Sequence, residues 1–257
     1  MMFDRATGLD SLAHVRHGFF GRSGGVSEGP FASLNVSLRN ADLRERALEN
    51  RHRIAARFGK SAEDLSIARQ VHGTDCVRLD RSLGPDGSVE ADALMTTTPG
   101  VILGVTTADC APILFADRES RVIAAAHAGW GGALRGVSDA TVKAMVGAGA
   151  SRERIIAAIG PCIASASYEI GEEFEAAFLA DDTANGRFFS DHGQSRHFDL
   201  RAYLTERLRQ AGIGEVLHVE RDTYAEPEQF FSYRRTTHEG GGPFGLQVSA
   251  IMLLPVD

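Results

Sequence analysis

The sequence predicts an α/β (α+β) fold with a large mixed sheet system, spanning residues 1–257 as one domain. Three observations predict it. Short apolar runs rich in β-branched residues crowd the middle of the chain. Amphipathic helical stretches flank them on both sides. The 28 glycines fall between apolar runs, as turns do in a compact mixed fold, and no repeat, low-complexity tract or linker interrupts them.

The elements follow in order. DLRERALENRHRIAARF, about 42–58, is the first strong helix, with Asp42 as its N-cap and Gly59 as its terminator. Leu43, Ala47, Ile54 and Phe58 give it an apolar stripe near the helical period. SIARQV and CVRL, separated by HGTD, predict a hairpin-like strand pair with His72 at the turn. VILGVTTA, APILFA and RVIAAAH predict buried strands. A helix over 133–147 and the strand RIIAAIG come next. Helices near 170–180 and 199–211 follow, the second capped by Asp199 and ended by Gly212, and VLHVE and LQVSAIMLLP close the chain as strands.

Composition excludes several functions. A net charge of −7 without a Lys/Arg cluster argues against tracking a nucleic-acid backbone. The first twenty residues lack a basic segment followed by a long apolar run, and no run approaches the roughly 18 apolar residues of a membrane span. The expected location is the cytoplasm. Three cysteines, Cys76, Cys110 and Cys162, argue against a disulfide framework.

Three segments carry chemistry: RQVHGTD with His72, TTADCAPILF with Asp109 and Cys110, and AAAHAGWGGAL with His127. Each places a metal-capable side chain at a strand end, where ligand groups gather in mixed α/β folds. Two imidazoles and a thiolate are a donor set that zinc favours, and three protein ligands leave a fourth position open, as catalytic sites do. No short metal signature joins them, so a core cysteine and two hydrogen-bonded histidines remain the bland alternative. Asp109 is either a proton shuttle or an aspartate that supports the turn. The amides around Gly129, Gly131 and Gly132 are candidates for an anion nest, with Arg22, Arg44 and Arg235 as candidate phosphate partners or as ordinary surface arginines. Asn35 either orients a ligand or closes a turn. Trp130, Tyr168 and Glu169 are open between ligand contact and packing, while Cys162 reads as packing and His14 and His17 fall on opposite strand faces.

The chain resembles the YfiH-like family, first described as laccase-domain or multicopper polyphenol oxidoreductase proteins and later as purine nucleoside phosphorylases. The resemblance rests on HGFFGRSGGVSEGPFASLNVSL, ENR at 49–51, RQVHGT, ADAL, TTADCAPILFAD, AAHAGW, IGPCIASASYEIG and FFSYRR. It implies a layered α/β/β/α fold shared with cysteine-dependent toxin hydrolases, and one zinc ion on His72, Cys110 and His127. It also implies phosphorolysis of adenosine, inosine, guanosine and methylthioadenosine, and deamination of adenosine. The chain departs from the family pattern at Gly131 and Ser167, where arginine and cysteine are usual, and TTHEGGGPFGLQ lacks the arginine of the usual Thr-Gly-Arg turn.

Two other chemistries use the same atoms. Cys110 and His127 could form the nucleophile–base pair of a cysteine hydrolase. A single copper could replace zinc at the triad in a polyphenol oxidoreductase, because copper outbinds zinc at most nitrogen sites. Nine histidines without one His-x-His motif argue against a trinuclear copper cluster. A nucleoside- or metal-binding module without turnover is the non-enzymatic reading.

Overall fold

The computed structural model describes residues 3–85 and 89–255. Its strands are β1 (Phe3–Asp4), β2 (Val15–Phe20), β3 (Leu65–Ile67), β4 (Cys76–Arg78), β5 (Ala93–Thr96), β6 (Ile102–Thr107) and β7 (Ala111–Asp117). Then come β8 (Ile123–Ala128), β9 (Ile155–Ile159), β10 (Glu169–Ile170), β11 (Phe189–His192), β12 (Ser195–Phe198), β13 (Glu215–His218) and β14 (Gln247–Leu253). The helices are α1 (Thr7–Asp10), α2 (Arg44–Ala56), α3 (Trp130–Arg135), α4 (Val137–Gly147), α5 (Glu172–Asp181), α6 (Leu200–Gln210) and α7 (Tyr233–His238).

Two mixed sheets stack face to face. One has the order β1-β2-β14-β6-β3 and the other β13-β9-β7-β8-β5-β4; a small third sheet, β10-β12-β11, flanks them. Side-chain alternation assigns the layers. Along β7, Leu114 and Ala116 join Leu103 and Val105 of β6 in the core between the sheets. Ile113 and Phe115 point the other way, onto α4 and α6 through Val142, Met145, Leu204 and Leu208. Each such fully buried side chain contributes roughly 1.5–3 kcal/mol. The helix α2 covers the opposite outer face, where Ile54 and Ala55 meet Ile102, Val248 and Met252. The result is the expected α/β/β/α layering.

Several local expectations need correction. SIARQV and CVRL are not a hairpin: β3 pairs parallel with β6 in the first sheet, whereas β4 pairs parallel with β5 in the second. The chain crosses between layers there, and His72 lies on the crossing. Periodicity cannot reveal this, because both strands are short and buried faces look alike in either sheet. Asp42 does not cap α2. The N-cap is Leu43, which is exposed, and Asp42 instead accepts hydrogen bonds from Ser27 Oγ (2.5 Å) and Asn35 Nδ2 (2.8 Å). The helix expected over 133–147 is two helices, broken at Gly136, whose φ of +89° suits glycine. Asp199 caps α6 as expected, accepting the Ala202 amide at 2.8 Å.

Candidate metal centre and cavity

Two layer crossings and one strand end build the site. The chain leaves the first sheet after β3 and again after β6, and each time it enters the second sheet at the same edge of the molecule. His72 sits on the first crossing and Cys110 on the second, directly before β7. His127 lies near the end of β8, opposite Pro112 in the β7–β8 register. The metal-capable atoms of His72, Cys110 and His127 all fall within 4.8 Å of one another. The two imidazoles meet edge to face, with centroids 4.8 Å apart.

Backbone strain marks both crossings. His72 has φ +59° and Asp109 has φ +90°, the described non-glycine residues with positive φ. Each strain is held by a buried carboxylate. Asp92 accepts the amides of Val71 (3.0 Å), His72 (3.0 Å) and Gly73 (2.6 Å), and also Nδ1–H of His127 at 2.7 Å. One carboxylate therefore fixes the His72 loop and the tautomer of His127 together, leaving His127 Nε2 for the cluster. Gly129 allows the close approach: a Cβ there would stand 2.9 Å from His72 Cδ2 and 3.1 Å from Cys110 Sγ.

The electrostatics single out one thiol. Burial pushes Cys76 up to about 12 and Cys162 up to about 11, so both are inert packing groups. Burial also opposes ionisation of Cys110, but the imidazoles of His127 and His72 outweigh it and bring the thiol down to about 6. For His127, burial favours the neutral ring, yet the Cys110 sulfur and Asp92 raise it to about 9. Two nitrogens and a thiolate form a borderline-to-soft donor set. Zinc bonds of about 2.0–2.3 Å would ask for only a modest contraction of the cluster, so the residues fit such an ion.

The cluster opens on a cavity of about 460 Å³. Ile67, Ala68, Ala108, Phe244 and Leu246 give it apolar walls, and the rings of Tyr233 and Phe244 meet at a tilt of 57°, centroids 5.2 Å apart. Arg39, Arg44 and Arg51 also line it, and no carboxylate does among the described residues. Gln70 ties the first crossing to β6, donating to Thr106 O (2.7 Å) and accepting the Thr106 amide (2.8 Å).

Of the residues singled out in the sequence, His72, Cys110, His127 and Gly129 come together and Arg44 lines the cavity. Asp109 does not: its carboxylate accepts Thr223 Oγ1–H (2.7 Å), Ser232 Oγ–H (2.9 Å) and the Arg234 amide (2.7 Å). Burial pushes it up against those bonds, which tie the residue before Cys110 to the 223–234 segment. Asn35 is fully buried and closes loops, accepting the amides of Ser37 and Leu246. The Arg235 guanidinium donates to the carbonyls of Thr223, Tyr224 and Phe230, which binds it to its own loop and not to the cavity. Arg22 likewise donates to Ala32 O and Pro227 O. Trp130 packs on Phe174 at 4.9 Å. The residue that sequence reading missed is Asp92. Its signal lay in ADAL, a lone carboxylate entering an apolar strand, but only the fold shows which amides it gathers.

Comparison with known proteins agrees with this architecture. The profile described as Multi-copper polyphenol oxidoreductase laccase matches residues 16–254. A purine nucleoside phosphorylase of Deinococcus radiodurans is 43% identical over 227 residues, covering 88% of this chain and 86% of that protein. Purine nucleoside phosphorylase YfiH of Escherichia coli K12 is 37% identical over 219 residues, covering 85% and 88%. Among solved structures, a Neisseria meningitidis protein superimposes with a TM-score of 0.88 at 32% identity, covering 98% of this chain and 99% of that one. YlmD from Geobacillus stearothermophilus gives 0.87 at 27% identity, covering 99% and 98%. The matched span and these identities, together with the shared layered fold, place the chain in the YfiH-like family, the one described as multi-copper polyphenol oxidoreductase laccase.

Proposed function

We propose that this chain is a zinc-dependent purine nucleoside phosphorylase that acts on adenosine, inosine, guanosine and methylthioadenosine and deaminates adenosine at the same site. The observation that carries the reading is the opening of the His72–Cys110–His127 cluster onto a nucleoside-sized cavity with aromatic walls and an arginine-lined flank. The names of the relatives support the same chemistry. Phosphorolysis joins phosphate to the ribose carbon as the base departs, yielding ribose 1-phosphate; deamination exchanges the amine of adenosine for water, releasing ammonia. A zinc ion held by His72, Cys110 and His127 would supply Lewis acidity beside the cavity. Asp92 keeps the His127 ring turned toward the cluster, and the crossing loops bring His72 and Cys110 to it. Arg39 and Arg44 supply positive charge to hold the phosphate, and Tyr233 with Phe244 offers ring faces to the base.

No described helix is long and apolar enough to cross a membrane. Three free cysteines suit a reducing cytoplasm, and we place the enzyme there with small nucleosides and phosphate as its partners, acting as one domain over residues 1–257. The test is direct. Protein purified without added metal is assayed for zinc, then incubated with adenosine, with and without phosphate. Adenine and ribose 1-phosphate with phosphate, and inosine without it, are the expected products; zinc-loaded protein yielding neither would refute the reading.

A second reading is favoured by one observation, the thiol brought down to about 6 beside His127. A cysteine hydrolase would use that pair directly. Active protein free of zinc and copper, inactivated by a thiol alkylator, would establish it. Copper in place of zinc is decided by the same metal analysis.

A further inference from the structure

We propose that Arg135 is a positioning residue for the metal centre: its guanidinium holds the His72 carbonyl, in the place where a side chain at Gly131 would otherwise lie. The inference rests on the metal reading above and adds a residue and a role to it.

His72 is the exposed member of the cluster, and its φ of +59° is one that side chains rarely adopt. Such a conformation persists where its surroundings hold it. On the amide side Asp92 does so, accepting the amides of Val71, His72 and Gly73. On the carbonyl side the partner is Arg135, whose Nη2 donates to His72 O. Helix α3 brings it there. That helix begins just after His127, with Gly129 as its N-cap. Gly132 lets it meet the His72 loop closely, since a Cβ there would stand 3.1 Å from Gly73 O. Positions 131 and 135 lie one turn apart on one face of the helix. A Cβ on Gly131 would stand 3.1 Å from Arg135 Nη1 and 3.3 Å from Nη2, so the guanidinium lies where a side chain at 131 would go. Arg135 thus ties the loop of one metal-capable residue to the helix that continues from another. The sign of its effect separates this role from plain electrostatics. A guanidinium acting only as a nearby charge would repel a zinc ion, and its removal would tighten binding. A clamp on His72 gives a loss instead.

The experiment compares wild type, Arg135→Met, Arg135→Lys, Gly131→Leu and the double variant Gly131→Leu/Arg135→Met. Zinc affinity is measured by chelator competition, and thermal unfolding is followed on the metal-free proteins. Arg135→Met should bind zinc about tenfold more weakly, the lower end of the cost of losing a group that orients a metal ligand. Arg135→Lys should stay within about threefold of wild type, because one donor to one carbonyl does not need the planar fork of arginine. Gly131→Leu should lose affinity as Arg135→Met does, since its side chain takes the place of the guanidinium. The double variant should be no weaker than either single one, as for two changes that remove the same contact. Metal-free Arg135→Met should unfold within about 2 °C of wild type, as exposed substitutions do. Zinc binding at or above wild-type strength in Arg135→Met would overturn the proposal. So would Arg135→Lys as weak as Arg135→Met, or losses that add in the double variant. Metal-free Arg135→Met unfolding several degrees early would overturn it too, by assigning Arg135 to the fold. Failure of wild type to bind zinc would instead bring down the metal reading, before any substitution is considered.

Discussion

The strands β7 and β8 run antiparallel through the middle of the second sheet, and a buried aspartate stands near each end of the pair. At one end, Asp117 accepts the amides of Glu119 (2.8 Å), Ser120 (2.7 Å) and Ser151 (2.8 Å) and the guanidinium of Arg154 (3.1 Å). At the other, Asp92 accepts the amides of Val71, His72 and Gly73 and the imidazole of His127. Both carboxylates gather three backbone donors, and both are held below their ordinary range, Asp117 at about 2. The fourth partner separates them. Arg154 is a permanent cation that reaches solvent, so its end of the sheet is a closed turn. His127 has a second ring nitrogen and a titratable charge, so the same device there aims a donor at Cys110. The difference teaches that the carboxylate nest is framework, and the identity of its last partner converts framework into a site.

Substitutions at the two ends should separate these roles. Cys110→Ala has the largest expected effect. Zinc content should fall from about one per chain to near zero, with phosphorolysis and deamination lost, while the metal-free protein still folds; metal analysis and circular dichroism check this. Asp92→Asn comes next. It should weaken zinc binding by roughly 10–100-fold, the usual consequence of losing the partner of a ligating histidine, as measured by chelator competition.

Zinc affinity should also depend on pH. Binding requires neutral His127 and ionised Cys110, raised to about 9 and lowered to about 6 in the folded protein. Affinity should therefore rise with pH up to about 9, releasing one proton per zinc between 6 and 9 from this pair. Below about 6 two protons must leave and the slope should steepen. A flat profile would break the assignment of these two groups as ligands.

Asp117→Asn tests the framework end. Zinc affinity should not change, but the melting temperature should fall by roughly 5 °C through weakened charge-assisted hydrogen bonds. Because the folded value of Asp117 lies near 2, below the ordinary 3.8, its contribution is complete above pH 4 and disappears as pH falls through 2. The gap in stability between wild type and Asp117→Asn should close over that window. Arg154→Ala should have the smallest effect, a fall in melting temperature below that of Asp117→Asn, because Arg154 is partly exposed and the three amides still hold the buried Asp117 carboxylate.

How much was legible in the sequence follows the same division. The three donors were visible because His72, Cys110 and His127 each stood at the end of a predicted strand. The strands β6, β7, β8, β9 and β14 and the helix α6 were visible from hydrophobic runs and caps. What joins them was not. Whether β3 and β4 share a sheet depends on long-range pairing, which leaves no local trace, so the crossing at His72 read as a hairpin. Asp109, Asn35 and Arg235 looked like ligand contacts because they are polar residues in unusual segments, and the fold spends them on internal hydrogen bonds. Asp92 stood in ADAL as a lone carboxylate entering an apolar strand, but a carboxylate shows its role only through the amides that converge on it.

X-ray absorption at the zinc edge on protein purified without added metal tests the shared centre most directly. One sulfur at about 2.3 Å and two imidazole nitrogens at about 2.0–2.1 Å, with one further light ligand, are expected, and the sulfur shell should vanish in Cys110→Ala. Zinc bound without a sulfur neighbour, or a sulfur shell that survives that substitution, would contradict the convergence of His72, Cys110 and His127 on a single ion.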